Sequence, residues 1–279
     1  MKIGIIRRRR LGRTSCKAIA ANSKYKIDQL FNYKPLPSEK YDLIIRWGTV
    51  SDIEADAYLN NKAAIQAVNN KAGARRLMLE NNISCPKINN VDFPFILRPT
   101  LHSQGKDLYL CNNKEEYEAG LAKIGNRPTY ISEYIKKDEE WGVFIFQGRV
   151  TSMIKKEPKT QAAKDAIAWN VSQGSHTFEN VGWDQWDINV AKEAVKAALL
   201  FDLDFGRIDV IVKDNVSYVL EINSAHSLTS PYRQETFAKC LDWFIENGKP
   251  QNKLDFNNIK SYRSIIHPAL RINQKETNL

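Results

Sequence analysis

Arg207-Ile208-Asp209-Val210-Ile211-Val212, the polar turn Lys213-Asp214-Asn215, then Tyr218-Val219-Leu220-Glu221-Ile222-Asn223 is the stretch on which the fold turns. Both runs alternate in polarity, as strands do when one face is buried. Glu221 and Asn223 are two positions apart, so their side chains leave the same face. Asp209 lies on the neighbouring strand, and a connecting loop with an odd number of residues sets it directly opposite Glu221. Two carboxylates and an amide oxygen then converge. Such an all-oxygen set suits a hard cation, magnesium above all, completed by nucleotide phosphates. The solvent-facing side of an ordinary hairpin is the alternative. It leaves unexplained why Ile208, Val210, Leu220 and Ile222 are all apolar.

Working outward, two pieces upstream carry weaker signals. Phe95-Ile96-Leu97-Arg98-Pro99 ends a strand with a cation before the polar loop Thr100 to Asp107. Backbone N–H groups of such a loop can cradle phosphates, though a plain hairpin turn reads the same way. Tyr130-Ile131-Ser132-Glu133-Tyr134-Ile135 then runs into Asp138, Glu139 and Glu140. A strand leaving into a connector offers backbone groups to an adenine edge and carboxylates to a ribose; a strand with a charged turn is the alternative.

In this order the three pieces resemble the ATP-grasp superfamily, which includes D-alanine–D-alanine ligase, glutathione synthetase and biotin carboxylase. The resemblance runs from about Lys71 to Leu228. It implies an α/β fold, α+β in its C-terminal part, with the nucleotide held between two α+β subdomains. The division expected is an N-terminal parallel-sheet domain (1–70), a central subdomain with the phosphate loop (71–129), a C-terminal subdomain with the magnesium site (130–250) and a basic tail (251–279). ATP and Mg2+ are the implied cofactors. Asp209, Glu221 and Asn223 would hold magnesium, and Lys71 and Arg98 the phosphates, with Ser103, Gln104, Gly105 and Lys106 closing over them. Glu133 and the backbone of Tyr134 and Ile135 would hold adenine, and Glu140 the ribose. Lys155 is a further phosphate contact, and Arg207 stands beside the reacting acyl group; these two are the implied catalytic residues. Arg98 departs from the superfamily's usual lysine, a rigid fork in place of a point charge. The loop has one glycine where many members have more. The implied activity is ATP-dependent carboxylate–amine ligation through an acyl phosphate, on small-molecule or peptide carboxylates and amines.

Composition bounds the rest. With 43% hydrophobic and 26% charged residues in 279, the chain reads as globular. No apolar run approaches the roughly 20 residues that cross a bilayer. Met1 to Ile6 stops at four arginines, too short for a signal-peptide core. Cys16, Cys85, Cys111 and Cys240 are scattered, against structural zinc or disulfides and in favour of reduced thiols in a cytoplasm. A net charge of +9 points to an anionic partner. Arg46 and the run Arg7 to Arg10 leave the carboxyl ends of strands Leu43 to Ile45 and Ile3 to Ile6, where ligands gather. A polyanionic substrate, a nucleic-acid-binding or nucleic-acid-modifying protein, a non-catalytic ATP-binding regulator and a homo-oligomer stay open. His226 reads as structural.

Among local elements, the pattern predicts a helix over Ala55 to Val68 and a meander of Tyr130 to Ile135, Gly142 to Phe146 and Val150 to Lys155. It also predicts a helix from Ile188 to Phe201 with Ile188, Ala191, Val195, Ala198 and Leu199 on its buried face. Ser230, Pro231 and Gly248 mark the ends of the last helix.

Overall fold

The structure, a computed structural model, describes residues 1–9, 12–100, 107–169 and 174–271. Short apolar runs near the N-terminus make β1 (Ile3–Arg7) and β3 (Tyr41–Trp47), which join β2 (Ile27–Phe31) and β4 (Ala55–Leu59) in a parallel sheet ordered β2-β1-β3-β4. Helix α1 (Arg13–Asn22) links the first two strands. The helix expected over Ala55 to Val68 is instead two elements. Ala55–Leu59 pairs with the edge of β3, Ile45 facing Leu59, and only Lys62–Asn69 is helical (α2). Asn60 breaks the segment with φ 63, and Asn61 caps α2 by accepting from the Ala64 N–H. Strand pairing has overridden the helix propensity of an alanine-rich stretch.

Helix α3 (Lys71–Glu80), capped by Asn70, leads into a small antiparallel sheet of β6 (Tyr109–Cys111), β5 (Phe95–Pro99) and β7 (Thr129–Glu133), in that order. Phe95, Leu97 and Cys111 pack there against Ile124 of α4 (Lys114–Ile124). Strand β7, expected in a meander with the two strands after it, pairs with β5 instead, Leu97 facing Ile131.

A second antiparallel sheet holds β8 (Glu139–Phe146), β9 (Arg149–Pro158), β10 (His176–Val181), β11 (Phe205–Lys213) and β12 (Val216–Asn223), ordered β10-β9-β8-β11-β12. A short helix, α5 (Gln161–Lys164), lies between β9 and β10. One face of the sheet packs on α6 (Ile188–Leu200), whose buried residues are Val190, Ala191, Ala194, Val195, Ala197 and Ala198. Leu199, expected in that stripe, lies at its edge, 50% exposed, and lies over the Gly148 turn. Ser230 caps α7 (Pro231–Asn247) as its sequence foretold, accepting from the Arg233 N–H.

One apolar core runs from the parallel sheet into the five-stranded one. Trp47, fully buried at the end of β3, stacks on Phe205 with centroids 5.1 Å apart and meets Phe237 edge-on at 5.5 Å. Asn60 ties the same two regions: its amide donates to the Phe205 carbonyl at 2.9 Å and its Oδ1 accepts from the Phe205 N–H at 3.1 Å. The segment expected to be a basic tail also belongs to this core as far as Leu270. Ile259, Ile265 of α8 (Tyr262–Ile265), Ile266 and Leu270 are buried, and the His267 N–H donates to the Val150 carbonyl at 2.9 Å. The apolar residues spaced among its lysines explain why it folds back. Among the described residues no helix is long and apolar enough to cross a membrane.

Candidate functional site

The hairpin β11–β12 sets the site. Its turn is Asp214-Asn215, two residues with φ 49 and 61, so Lys213 faces Val216. Carried on without interruption, that even turn would set Asp209 against Leu220. A bulge intervenes: Val210 faces Val219 but Asp209 faces Glu221, with Leu220 the extra residue. The odd residue expected in the loop therefore sits in the strand. Arg207 faces Asn223 on the same side. Leu220, expected on the apolar far face, lines the cleft instead.

Arg207 Nη2 donates to Asp209 Oδ2 at 2.9 Å, and the Asn223 amide donates to the same oxygen at 3.2 Å. Lys71 Nζ lies 2.6 Å from Glu221 Oε1. Gly142 of β8 faces Asp209, and a Cβ there would meet Ile154 Cγ1 at 2.9 Å and Arg207 Cδ at 3.3 Å, so the glycine makes room for the guanidinium. Burial pushes the Asp209 carboxyl above its ordinary range even with Arg207 opposing. Its negative charge is thus under-compensated. A divalent cation would supply compensation here, and two carboxylates with an amide oxygen, all hard donors, would suit magnesium. Among the described residues no group of three or more His, Cys, Asp or Glu side chains offers a competing metal site.

These residues floor a cleft of about 560 Å³ lined by the three-stranded and five-stranded sheets together. Arg98, Glu133, Tyr134, Ile135 and Glu140 line it, as do Lys71, Arg207, Asp209, Glu221 and Asn223. Ser103, Gln104, Gly105 and Lys106 lie outside the described residues. Arg98 is buried, which holds its guanidinium down to about 10, with the charge of Arg75 acting in the same direction. Glu133 accepts from the Lys87 N–H at 3.1 Å.

Lys155 does not reach the cleft. It lies 2.6 Å from Glu139, over the Trp141 ring, on the far face of β9. Lys156 lines the cleft in its place, contacting Glu140 and donating to the Trp169 carbonyl at 3.0 Å. The cause is again a bulge. From the Gly148 turn, Phe146 faces Arg149, but Phe144 faces Ser152, which moves Lys155 opposite Trp141. Lys137 completes the floor 2.9 Å from Glu140. Burial works against the Glu140 charge, but Lys156 and Lys137 hold the carboxyl below its ordinary range. Of the residues that line the cleft, Lys137 and Phe178 escaped the sequence reading.

The arginines of the parallel sheet are placed differently from the expectation. Arg7 and Arg46 are buried, their guanidinium carbons 4.6 Å over Phe31 and 3.8 Å over Tyr58, and neither lines the cleft. His226 is buried against Trp47 at 4.8 Å between centroids, and burial holds it down to about 3.

Residues 57–238 match the family described as RimK-like ATP-grasp domain. A D-alanine–D-alanine ligase from Fusobacterium nucleatum subsp. nucleatum is 32% identical over 147 residues, which cover 49% of this chain and 47% of that one. The chain spans between about half and two thirds of the curated relatives it matches. Among solved structures, a D-alanine–D-alanine ligase from Bacillus anthracis is similar at TM-score 0.63 and 19% identity, over 89% of this chain and 97% of its own. A RiPP-associated ATP-grasp ligase from Chryseobacterium gregarium, in complex with ADP and a leader and core peptide, is similar at TM-score 0.62 and 13% identity, over 86% of this chain and 96% of its own. At these identities the likeness shows the fold.

Proposed function

The chain belongs to the RimK-like ATP-grasp family, and from that premise we propose that it is an ATP-dependent carboxylate–amine ligase acting through an acyl phosphate. One observation carries the reading: Asp209 and Glu221 stand opposite each other, beside Arg207 and Asn223, at the floor of a cleft that also presents Lys71, Arg98 and Lys156. Carboxylates for a metal and cations for phosphates share one cavity.

In this reading Asp209, Glu221 and Asn223 hold magnesium, which when bound draws charge from the transferring phosphoryl group. Lys71, Arg98 and Lys156 neutralise phosphate charge. Glu133 with the backbone of Tyr134 and Ile135 holds adenine, and Glu140 the ribose. The substrate carboxylate oxygen attacks the γ-phosphorus and ADP leaves; the amine then attacks the acyl carbon and phosphate leaves. Arg207, buried beside the metal carboxylates, stabilises the oxyanion of that second step. Burial opposes its charge, but Asp209 holds it above the ordinary range, so it stays a cation throughout. Positioning and charge supply the catalysis, and no nucleophilic side chain is required. The relatives named above are D-alanine–D-alanine ligases and an ATP-grasp ligase in complex with a leader and core peptide, which supports amino acids or peptides as the substrate class.

The test is release of ADP and phosphate with magnesium across amino acids and peptides offered singly and in pairs. Release that needs an acceptor amine and disappears in Glu221→Ala is the expected result. Release without any amine would replace ligation by phosphoryl transfer alone.

A further inference from the structure

Arg75 lies one turn after Lys71 on α3, 2% exposed and outside the cleft lining. Its Nη2 donates to the Leu220 carbonyl at 3.1 Å, and its buried Nη1 has no hydrogen-bond partner. Among the described residues no carboxylate forms an ion pair with it. Desolvating a guanidinium without an acid partner is costly, so an apolar residue would serve simple helix packing better.

The carbonyl it holds is that of the bulge residue. Without the bulge, every side chain of β12 from Glu221 onward would turn to the opposite face. The strand is pinned at the preceding position too: the Val219 N–H donates to the Ser84 carbonyl at 2.8 Å, and the Ser84 N–H to Glu193 Oε2 at 3.2 Å. Helix α3 therefore meets β12 at two points a turn apart, Lys71 on the Glu221 carboxylate and Arg75 on the backbone just before it.

We propose that Arg75 is a positioning residue of the magnesium site, holding the Leu220 bulge and through it the register that turns Glu221 and Asn223 toward the cleft. This rests on the reading of Asp209, Glu221 and Asn223 as the magnesium set.

The experiment is calorimetric titration of a non-hydrolysable ATP analogue into the whole chain, with and without magnesium. Wild type, Arg75→Met, Arg75→Lys and Glu221→Gln are compared after thermal unfolding of each. Magnesium strengthens analogue binding in wild type, and Glu221→Gln removes that gain. If Glu221→Gln keeps it, the magnesium reading falls, and this proposal with it. With that control in place, Arg75→Met loses about tenfold of the gain, the scale of an outer-shell change, and keeps the metal-free affinity. Arg75→Lys, which retains a donor for the carbonyl, recovers most of it. An unchanged gain in Arg75→Met, or equal losses with and without metal, overturns the proposal. Should Arg75→Met fail to fold, Arg75→Gln, whose amide is too short to span to Leu220, is read in the same way.

Discussion

Lys156 reaches the Glu140 carboxylate and the Trp169 carbonyl from inside the cleft, whereas Lys155 reaches Glu139 on the far face. A charge-assisted contact to phosphate is worth about 1.5–3 kcal/mol, so Lys156→Ala should weaken binding of an ATP analogue about tenfold or more. Lys155→Ala, which breaks only part-exposed ion pairs to Glu139 and Glu157, should leave it unchanged; calorimetry reads both. The residue types of the site were legible because carboxylates, an amide and cations recur at readable spacings: Asp209, Glu221, Asn223, Lys71, Arg98 and Glu140 all line the cleft. Lys155 was misread because which of two adjacent lysines faces inward depends on the parity of a register. Arg7 and Arg46 were misread because sequence does not say that an aromatic ring will cover a guanidinium.

Two bulges decide that parity. The one at Leu220 is tested by deleting Leu220, which removes the extra residue and leaves an uninterrupted ladder with Glu221 still opposite Asp209 and Asn223 opposite Arg207. The variant should keep magnesium-dependent nucleotide affinity; its loss would mean that the pairing of Asp209 with Glu221 does not set the site. An element with strong punctuation was readable: α7 begins at Ser230 and ends before Gly248. Ala55–Leu59 was not, because an alanine-containing strand at a sheet edge takes its conformation from its neighbour, not from its own residues. Strand β10 was missed because His176 to Val181 alternates weakly, with only His176 fully buried.

At the scale of the molecule, a single core joins the parallel sheet to the site-bearing sheet, with Trp47 at the junction. Trp47→Ala should cost about 3–5 kcal/mol, read as a lower denaturant midpoint, with nucleotide affinity falling alongside. Protons test the same core. Burial holds His226 and His267 down to about 3, so both stay neutral in the folded chain while the unfolded chain takes up protons below about pH 6.5. Stability should therefore fall by about 1.4 kcal/mol per pH unit for each histidine as pH drops from about 6.5 toward 3. His267→Phe should flatten that slope in urea unfolding at pH 7 and pH 5; an unaltered slope would place the proton uptake elsewhere. The order of the site-bearing strands was legible, while the return of residues 259–270 into the core was not, because Ile259 and the pair Ile265-Ile266 in a mostly polar stretch do not announce a partner.

The central claim is that a divalent metal sits with nucleotide on the β11–β12 face. Electron paramagnetic resonance of Mn2+, in the presence of a non-hydrolysable ATP analogue, reads it most directly. Immobilised metal in the wild type that is released in both Asp209→Asn and Glu221→Gln is the predicted result. Metal held equally well by both variants would contradict the account.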